Sequence, residues 1–109
     1  MPTISKGRVP VTFINVFTVT PEKQQELIAL LTEVTERNVR HRTGFISASL
    51  HRSIDGRKVT MYAQWASIGD YESMRKDSGS SPALEKALTF ANFDPGMYEV
   101  AEIFTPDRE

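Results

Sequence analysis

The stretch VTFINVFTV, residues 11–19, limits what this chain can become more than any other. It is rich in β-branched and aromatic residues, and its apolar residues fall on both parities of a strand. Val11, Phe13, Phe17 and Val19 share one face, and Ile14 and Val16 the other. Asn15 stands at the centre, on the face of the two phenylalanines. A strand apolar on both sides needs a cover on both sides. A buried side-chain amide in it costs about 1–3 kcal/mol unless it finds a partner.

The rest of the pattern shows where one cover comes from. Thr20 is placed as an N-cap, with Pro21 at the first helical position and Glu22 in the first turn. Leu27, Leu30, Leu31 and Val34 recur at helical spacing and predict an amphipathic helix over 21–38, closed by the RHRTG segment and Gly44. FISASLHRSI (45–54) and RKVTMYAQWA (57–66) read as two strands joined at Asp55-Gly56, a strong hairpin signal. Ser67 and Asp70 have the spacing of a capping box and open a short helix through Tyr71 and Met74. Pro82 starts a further helix carrying Leu84, Ala87, Leu88 and Ala91, and after the DPG turn MYEVAEIF (97–104) is the last strand.

The order β-α-β-β-α-β is the split βαβ arrangement, an α+β fold whose antiparallel sheet has the spatial order 4-1-3-2. The strands carrying Asn15 and Trp65 are then neighbours. Helices so few cover one face of such a sheet, and an antiparallel sheet with one wet face alternates cleanly between apolar and polar residues. The first strand does not alternate. Something else must cover the second face, and a second copy of the chain, sheet against sheet, is the simplest candidate. A homodimer is expected.

Composition bounds the chemistry. At 109 residues the chain suits one domain, placed at 10–105 with an N-terminal arm at 1–9 and a polar tail at 106–109. There are no cysteines, which removes disulfides, thiolate nucleophiles and cysteine metal sites. Thirteen Lys and Arg against fourteen Asp and Glu give a net charge of −1, and basic RNVRHR carries no interleaved aromatics, so no nucleic-acid partner is expected. No run has the length or apolarity of a membrane span or a signal peptide, and a cytoplasmic location is expected. No His, Asp or Glu cluster has metal spacing, and no hydrolase elbow, P-loop or dinucleotide fingerprint occurs.

Two readings stay open at Asn15: an amide satisfied within the core or at an interface, or an amide presented to a ligand between sheet and helices. Trp65, the single tryptophan, is either core or a second donor through its indole N–H. Tyr71, six residues on, can bring a hydroxyl to the same space. Phe13, Phe17, Phe45, Met61 and Met97 are the candidates for apolar walls around a flat ring. His41 and His51 stand alone, and the surface suits both better than a pocket.

The segments VTFINVFTVTPEKQQEL, GFISASLHRSIDGRKVTMYAQWASIGDYESM and MYEVAEIF together resemble the antibiotic biosynthesis monooxygenase domain, from about Val11 to Phe104. The resemblance rests on Asn15 within the first strand, Gly44-Phe45 opening the second, Trp65 with Ser67, and Tyr71. It implies a ferredoxin-like protomer paired into a dimeric α+β barrel. It also implies oxygenation of aromatic polyketide phenols to quinones with O2 and without metal, haem or flavin. By the same resemblance Asn15 and Trp65 bind or activate the substrate, with Tyr71 a weaker match. Such enzymes often carry another asparagine four residues before the tryptophan, where this chain has Met61. A haem-degrading branch uses a histidine in the following helix, which this chain lacks, so no cofactor is expected. The expected function is a cofactor-independent monooxygenase acting on a phenolic or hydroquinone-like aromatic. The alternative is a non-catalytic small-molecule-binding or polyketide-cyclising barrel.

Overall fold

In the computed structural model, which describes residues 7–78 and 81–107, strand β1 (Gly7–Thr18) is the hub of a single sheet. Strand β2 (Phe45–Arg52) pairs with β3 (Lys58–Trp65), β3 pairs with β1, and β4 (Asn92–Asp94) and β5 (Met97–Val100) share the other edge of β1. All these pairs are antiparallel, and the register sets Asn15 opposite Met61 and Val11 opposite Trp65. The expected order 4-1-3-2 is present, with the fourth strand in two pieces. The break falls at Pro95-Gly96, where Pro95 has no N–H to give. Ile14 N still donates to Gly96 O at 3.0 Å, so β1 keeps its bonding across the gap.

The helices lie on one face. A 3-10 turn at Pro21–Lys23 precedes α1 (Gln24–Arg37), another at Val39–His41 follows it, and α2 (Ile68–Ser78) and α3 (Pro82–Ala87) complete the layer. Leu27, Leu31 and Val34 are the buried apolar residues of α1, as their spacing predicts. Thr20 is extended and its hydroxyl caps nothing; its carbonyl instead accepts the Lys23 N–H at 2.9 Å. Ser67 caps α2: Asp70 N donates to Ser67 Oγ at 3.1 Å, and the Ser67 hydroxyl, in place of the backbone N–H of a full capping box, donates to Asp70 Oδ2 at 3.0 Å. No helix among the described residues is long and apolar enough to cross a membrane.

Several element ends differ from expectation. The arm placed at 1–9 is already strand from Gly7, and residues 1–6 lie outside the described residues. The hairpin turn is longer than the Asp55-Gly56 signal alone suggests. Ser53 Oγ accepts from Arg57 N and Lys58 N at 3.1 and 2.8 Å, which closes a loop over 53–57 and leaves Ile54 in solvent. Ser53 Oγ also donates to the Asp55 carboxylate. That bond, followed by the Arg57 N–H, holds the Asp55 acid below its ordinary value. Helix α3 stops at Ala87 because Thr89 N and Phe90 N bond back only three residues, to Lys86 and Ala87, leaving Leu88 exposed. The last strand stops at Val100, not at 104. Val100 pairs with Gly7 of β1.

The core comes in two parts. Phe17, Val19, Leu27, Leu31, Val59, Ala87 and Ala91 make one buried cluster. Val11, Phe13, Ala63, Trp65, Tyr71 and Met74 make the other. On the far face of the sheet Ile14, Val16 and Tyr62 are half-buried and Tyr98 is exposed, a surface that no helix covers. Gly44 joins the second cluster to the hairpin. It has φ +88°, and a methyl group there would collide with the Asp70 side chain that caps α2. A Gly44→Ala variant is expected to lose about 1–3 kcal/mol in a urea titration, as a lower midpoint at unchanged slope. An unchanged midpoint would show that the turn does not need glycine.

Candidate functional site

Along β1 the residues facing the helices read Val11 and Phe13 in one cluster, Phe17 and Val19 in the other, with Asn15 between. Along β3 they read Ala63 and Trp65 in one and Val59 in the other, with Met61 between them at the second cluster's edge. The seam of the core therefore runs across the sheet through Asn15 and Met61. The helices do not close over it, and a cleft opens there between the layers.

The sheet contributes Asn15, Phe17, Ala48, Met61, Ala63 and Trp65 to this cleft. Helix α1 and the turn after it add Leu31, Val34, Thr35 and Val39; α2 adds Tyr71, Met74 and Arg75; and Leu84 and Phe93 close the end near α3 and β4. The cavity itself is small, about 80 Å³, and it opens to solvent on one side. The walls are almost entirely apolar. The polar groups are few, and each can be accounted for.

Asn15 answers the question its place in the strand raises. Its Oδ1 is buried and has no hydrogen-bond partner. The contrast with Gln24, also buried, is direct: Gln24 Nε2 donates to Ser53 O at 3.1 Å and Lys58 O at 3.0 Å, which docks α1 on the hairpin. One buried amide is spent on holding the fold. The other leaves an acceptor unused in the wall of a cleft. Thr12 Oγ1 is likewise buried without a partner, but on the opposite parity of β1, away from the cleft.

Trp65 is 1% exposed, and its ring meets Phe45 and Tyr71 edge-on, with centroids at 5.4 and 5.9 Å. Such edge contacts fix the indole plane. Tyr71 stacks on Phe13 at 3.6 Å between centroids, and its hydroxyl oxygen accepts from Arg75 Nη1 at 3.0 Å. The oxygen being thus engaged as an acceptor, the hydroxyl hydrogen remains available as a donor. Thr35 Oγ1 donates to Leu31 O at 2.8 Å, within its own helix.

The structure brings Asn15, Trp65, Tyr71, Phe17 and Met61 to one cleft. Phe13 and Phe45 do not line it; they stand behind, one against the Tyr71 face and one against the Trp65 edge. Met97 is not a wall of the cleft. It lies on β5 opposite Phe13 and is 54% exposed. His51 faces solvent with its Nε2 at 2.9 Å from Ser49 Oγ. Arg75 and Phe93 are cleft residues that sequence reasoning missed. The signal for Arg75 was its place four residues after Tyr71 on a predicted helix, hence on the same face. Phe93 gave none, since it lies in a strand of three residues.

The profile of the antibiotic biosynthesis monooxygenase domain matches residues 10–85, which contain the cleft apart from Phe93. The chain belongs to this family. It is 41% identical over 104 residues to the tetracenomycin-F1 monooxygenase of Streptomyces glaucescens, covering 95% of this chain and 93% of that protein. A monooxygenase of Streptomyces coelicolor, ActVA-Orf6, solved in complex with nanaomycin D, superposes with a TM-score of 0.75 at 27% identity, over 92% of this chain and 95% of that one. SnoaB of Streptomyces nogalater, a cofactor-independent oxygenase, superposes with a TM-score of 0.69 at 20% identity, over 90% and 99% of the two chains, and bears on the fold alone. The protein is an oxidoreductase of the monooxygenase type.

Asn15 separates what is good for folding from what is good for a ligand. Asn15→Leu, which is close in volume and lacks the orphaned carbonyl, is expected to raise the free energy of unfolding by about 1–2 kcal/mol. A loss of stability in the same urea titration would instead mean that the amide is satisfied in the native protein.

Proposed function

We propose that this monooxygenase family member oxidises a phenolic or hydroquinone-like ring of a polyketide-type aromatic to a quinone, with O2 and without a cofactor. The observation that carries the reading is the unpartnered Asn15 Oδ1 in an apolar cleft shared with Trp65 and Tyr71. The named activity of the 41%-identical relative supports the same chemistry.

A phenol supplies the donor that Asn15 lacks, so the neutral substrate enters with its O–H on Oδ1. Ionising a simple phenol of pKa about 10 at neutral pH costs roughly 4 kcal/mol. Two hydrogen bonds to the phenolate, at about 1.5–3 kcal/mol each, offset that. The Trp65 indole N–H provides one. A half-turn of the Asn15 amide presents Nδ2 as the second, while the phenolic proton leaves to water. Tyr71 O–H is a further donor. Met61, directly across from Asn15, puts a thioether where relatives of this kind often have another amide, so this chain relies on a single asparagine.

The electron-rich phenolate passes one electron to O2, and the aryloxyl radical and superoxide combine at a ring carbon as a peroxide. The peroxide takes up a proton and loses water together with the hydrogen of that carbon. One oxygen atom ends in the quinone and the other in water. The substrate supplies all four electrons, so no external reductant enters the balance. Phe17, Ala63 and Met74 keep water from the ring and leave the hydrogen bonds in a low-dielectric setting.

Oxygen uptake with a panel of anthrones and naphthols tests this directly. Asn15→Ala and Trp65→Phe are each expected to lower kcat by about 10- to 100-fold, the worth of one hydrogen bond to a developing charge. Uptake at unchanged rates in both variants would remove the assigned roles.

The same reading includes a homodimer acting in the cytoplasm. Among the described residues no helix lies on the sheet face carrying Ile14, Val16, Tyr62 and Tyr98, and Tyr98 is 52% exposed. A second sheet laid on that face would cover these residues. Sedimentation at micromolar concentration is expected to give about twice the mass of one chain, and a monomer there would overturn the pairing.

A further inference from the structure

Among the described residues, Arg75 is the single charged side chain lining the cleft. It is half-buried, and it makes no ion pair among the described residues. The carboxylates nearest it in its own helix do not serve it: Asp77 is held by Arg42 at 2.6 Å, and Glu72 is exposed. Instead the guanidinium carbon lies 5.0 Å from the Phe93 ring centroid and 5.9 Å from that of Tyr71. Nη1 donates to Tyr71 Oη at 3.0 Å. Two aromatic rings and one phenol oxygen thus hold the half-buried guanidinium against the cleft wall, and solvent reaches the donors that remain. An anionic oxygen arriving with the ligand would displace that solvent and supply the counter-charge the guanidinium lacks among the described residues.

From this arrangement we infer that the cleft selects aromatic anions, with Arg75 binding a carboxylate or an already ionised hydroxyl of the substrate. This rests on the proposed ligand site and adds a second recognition point to it. Asn15, on the sheet, receives the reacting phenol. Arg75, on the helix layer, receives negative charge, and Tyr71 O–H lies beside it as a neutral donor. A flat ring between them touches both layers, which orients it as well as binds it. The planar guanidinium can give two parallel bonds to a carboxylate, a geometry that lysine cannot reproduce.

The test is calorimetric titration under nitrogen, so that binding is read without turnover. Three probes are used: a neutral naphthol, a hydroxynaphthoate carrying a carboxylate, and a dinitronaphthol ionised at neutral pH. The native protein is expected to bind at least one of the two anions tenfold or more tightly than the neutral naphthol, and which anion gains identifies carboxylate or phenolate as the source of charge. Arg75→Gln should lose that preference while naphthol affinity changes by less than about threefold, and Arg75→Lys should regain only part of it. A merely structural role for Arg75 predicts that all three probes weaken together, and that outcome overturns the inference, as does a native protein without anion preference. Oxygen uptake on the same proteins separates the two proposals. Anion selectivity without uptake leaves the inference standing and removes the catalytic reading, whereas uptake without selectivity does the reverse.

Discussion

The structure depends on a core that is divided where the sheet is most central. β1 gives residues to both buried clusters, and the residue between them is an amide. An apolar residue in place of Asn15 would let the two clusters merge, since Met61 across the strand pair is soft enough to fill irregular space. The polar atom works against that merger. Its Oδ1 takes no hydrogen bond among the described residues, since the neighbouring backbone amides and carbonyls bond to one another across the strands. A cleft at this seam is therefore a consequence of one residue type at one position in a closely packed layer.

Polar groups inside this protein divide by whether they are satisfied. Gln24 ties α1 to the hairpin carbonyls, Ser67 and Asp70 close the start of α2, and Ser53 organises the turn that joins β2 and β3. These bonds set where the helices lie on the sheet. The cleft holds the unpartnered Asn15 carbonyl, the Tyr71 hydroxyl proton and the half-buried Arg75 guanidinium, while Thr12 Oγ1, buried without a partner too, lies on the opposite face of β1. The aromatic contacts serve the second group. Phe13 holds Tyr71 and Phe45 holds Trp65, so the residues expected as walls act one layer back, as supports that restrict the rotamers of those that face the ligand.

The periodicity of α1 and the hairpin were legible because their signals are local. Leu27, Leu31 and Val34 have one helical face to fall on, and Gly56 takes the positive φ that its turn requires. Asn15 and Trp65 could be placed on neighbouring strands because the βαββαβ order admits few sheets. The errors came where an end is decided by a partner. The last strand reads as continuing to Phe104, and by composition it is a strand; it stops at Val100, the residue paired with Gly7. Leu88 has the spacing of a core residue and is exposed, since the Thr89 and Phe90 amides turn back after Ala87. Met97 has the character of a wall and lies outside the cleft, on a strand whose side chains at that edge meet solvent.

The sequence by itself determined the order of elements, the inward faces of α1 and β1, and the presence of an amide among apolar neighbours, because these follow from periods of two and 3.6 and from residue chemistry. Tertiary structure decided whether that amide is satisfied, which aromatic faces the cleft and which stands behind, and that Phe93 meets Arg75 there. Those outcomes depend on distances between side chains far apart in the chain, such as Phe93 and Arg75, and no spacing along one strand or helix encodes them.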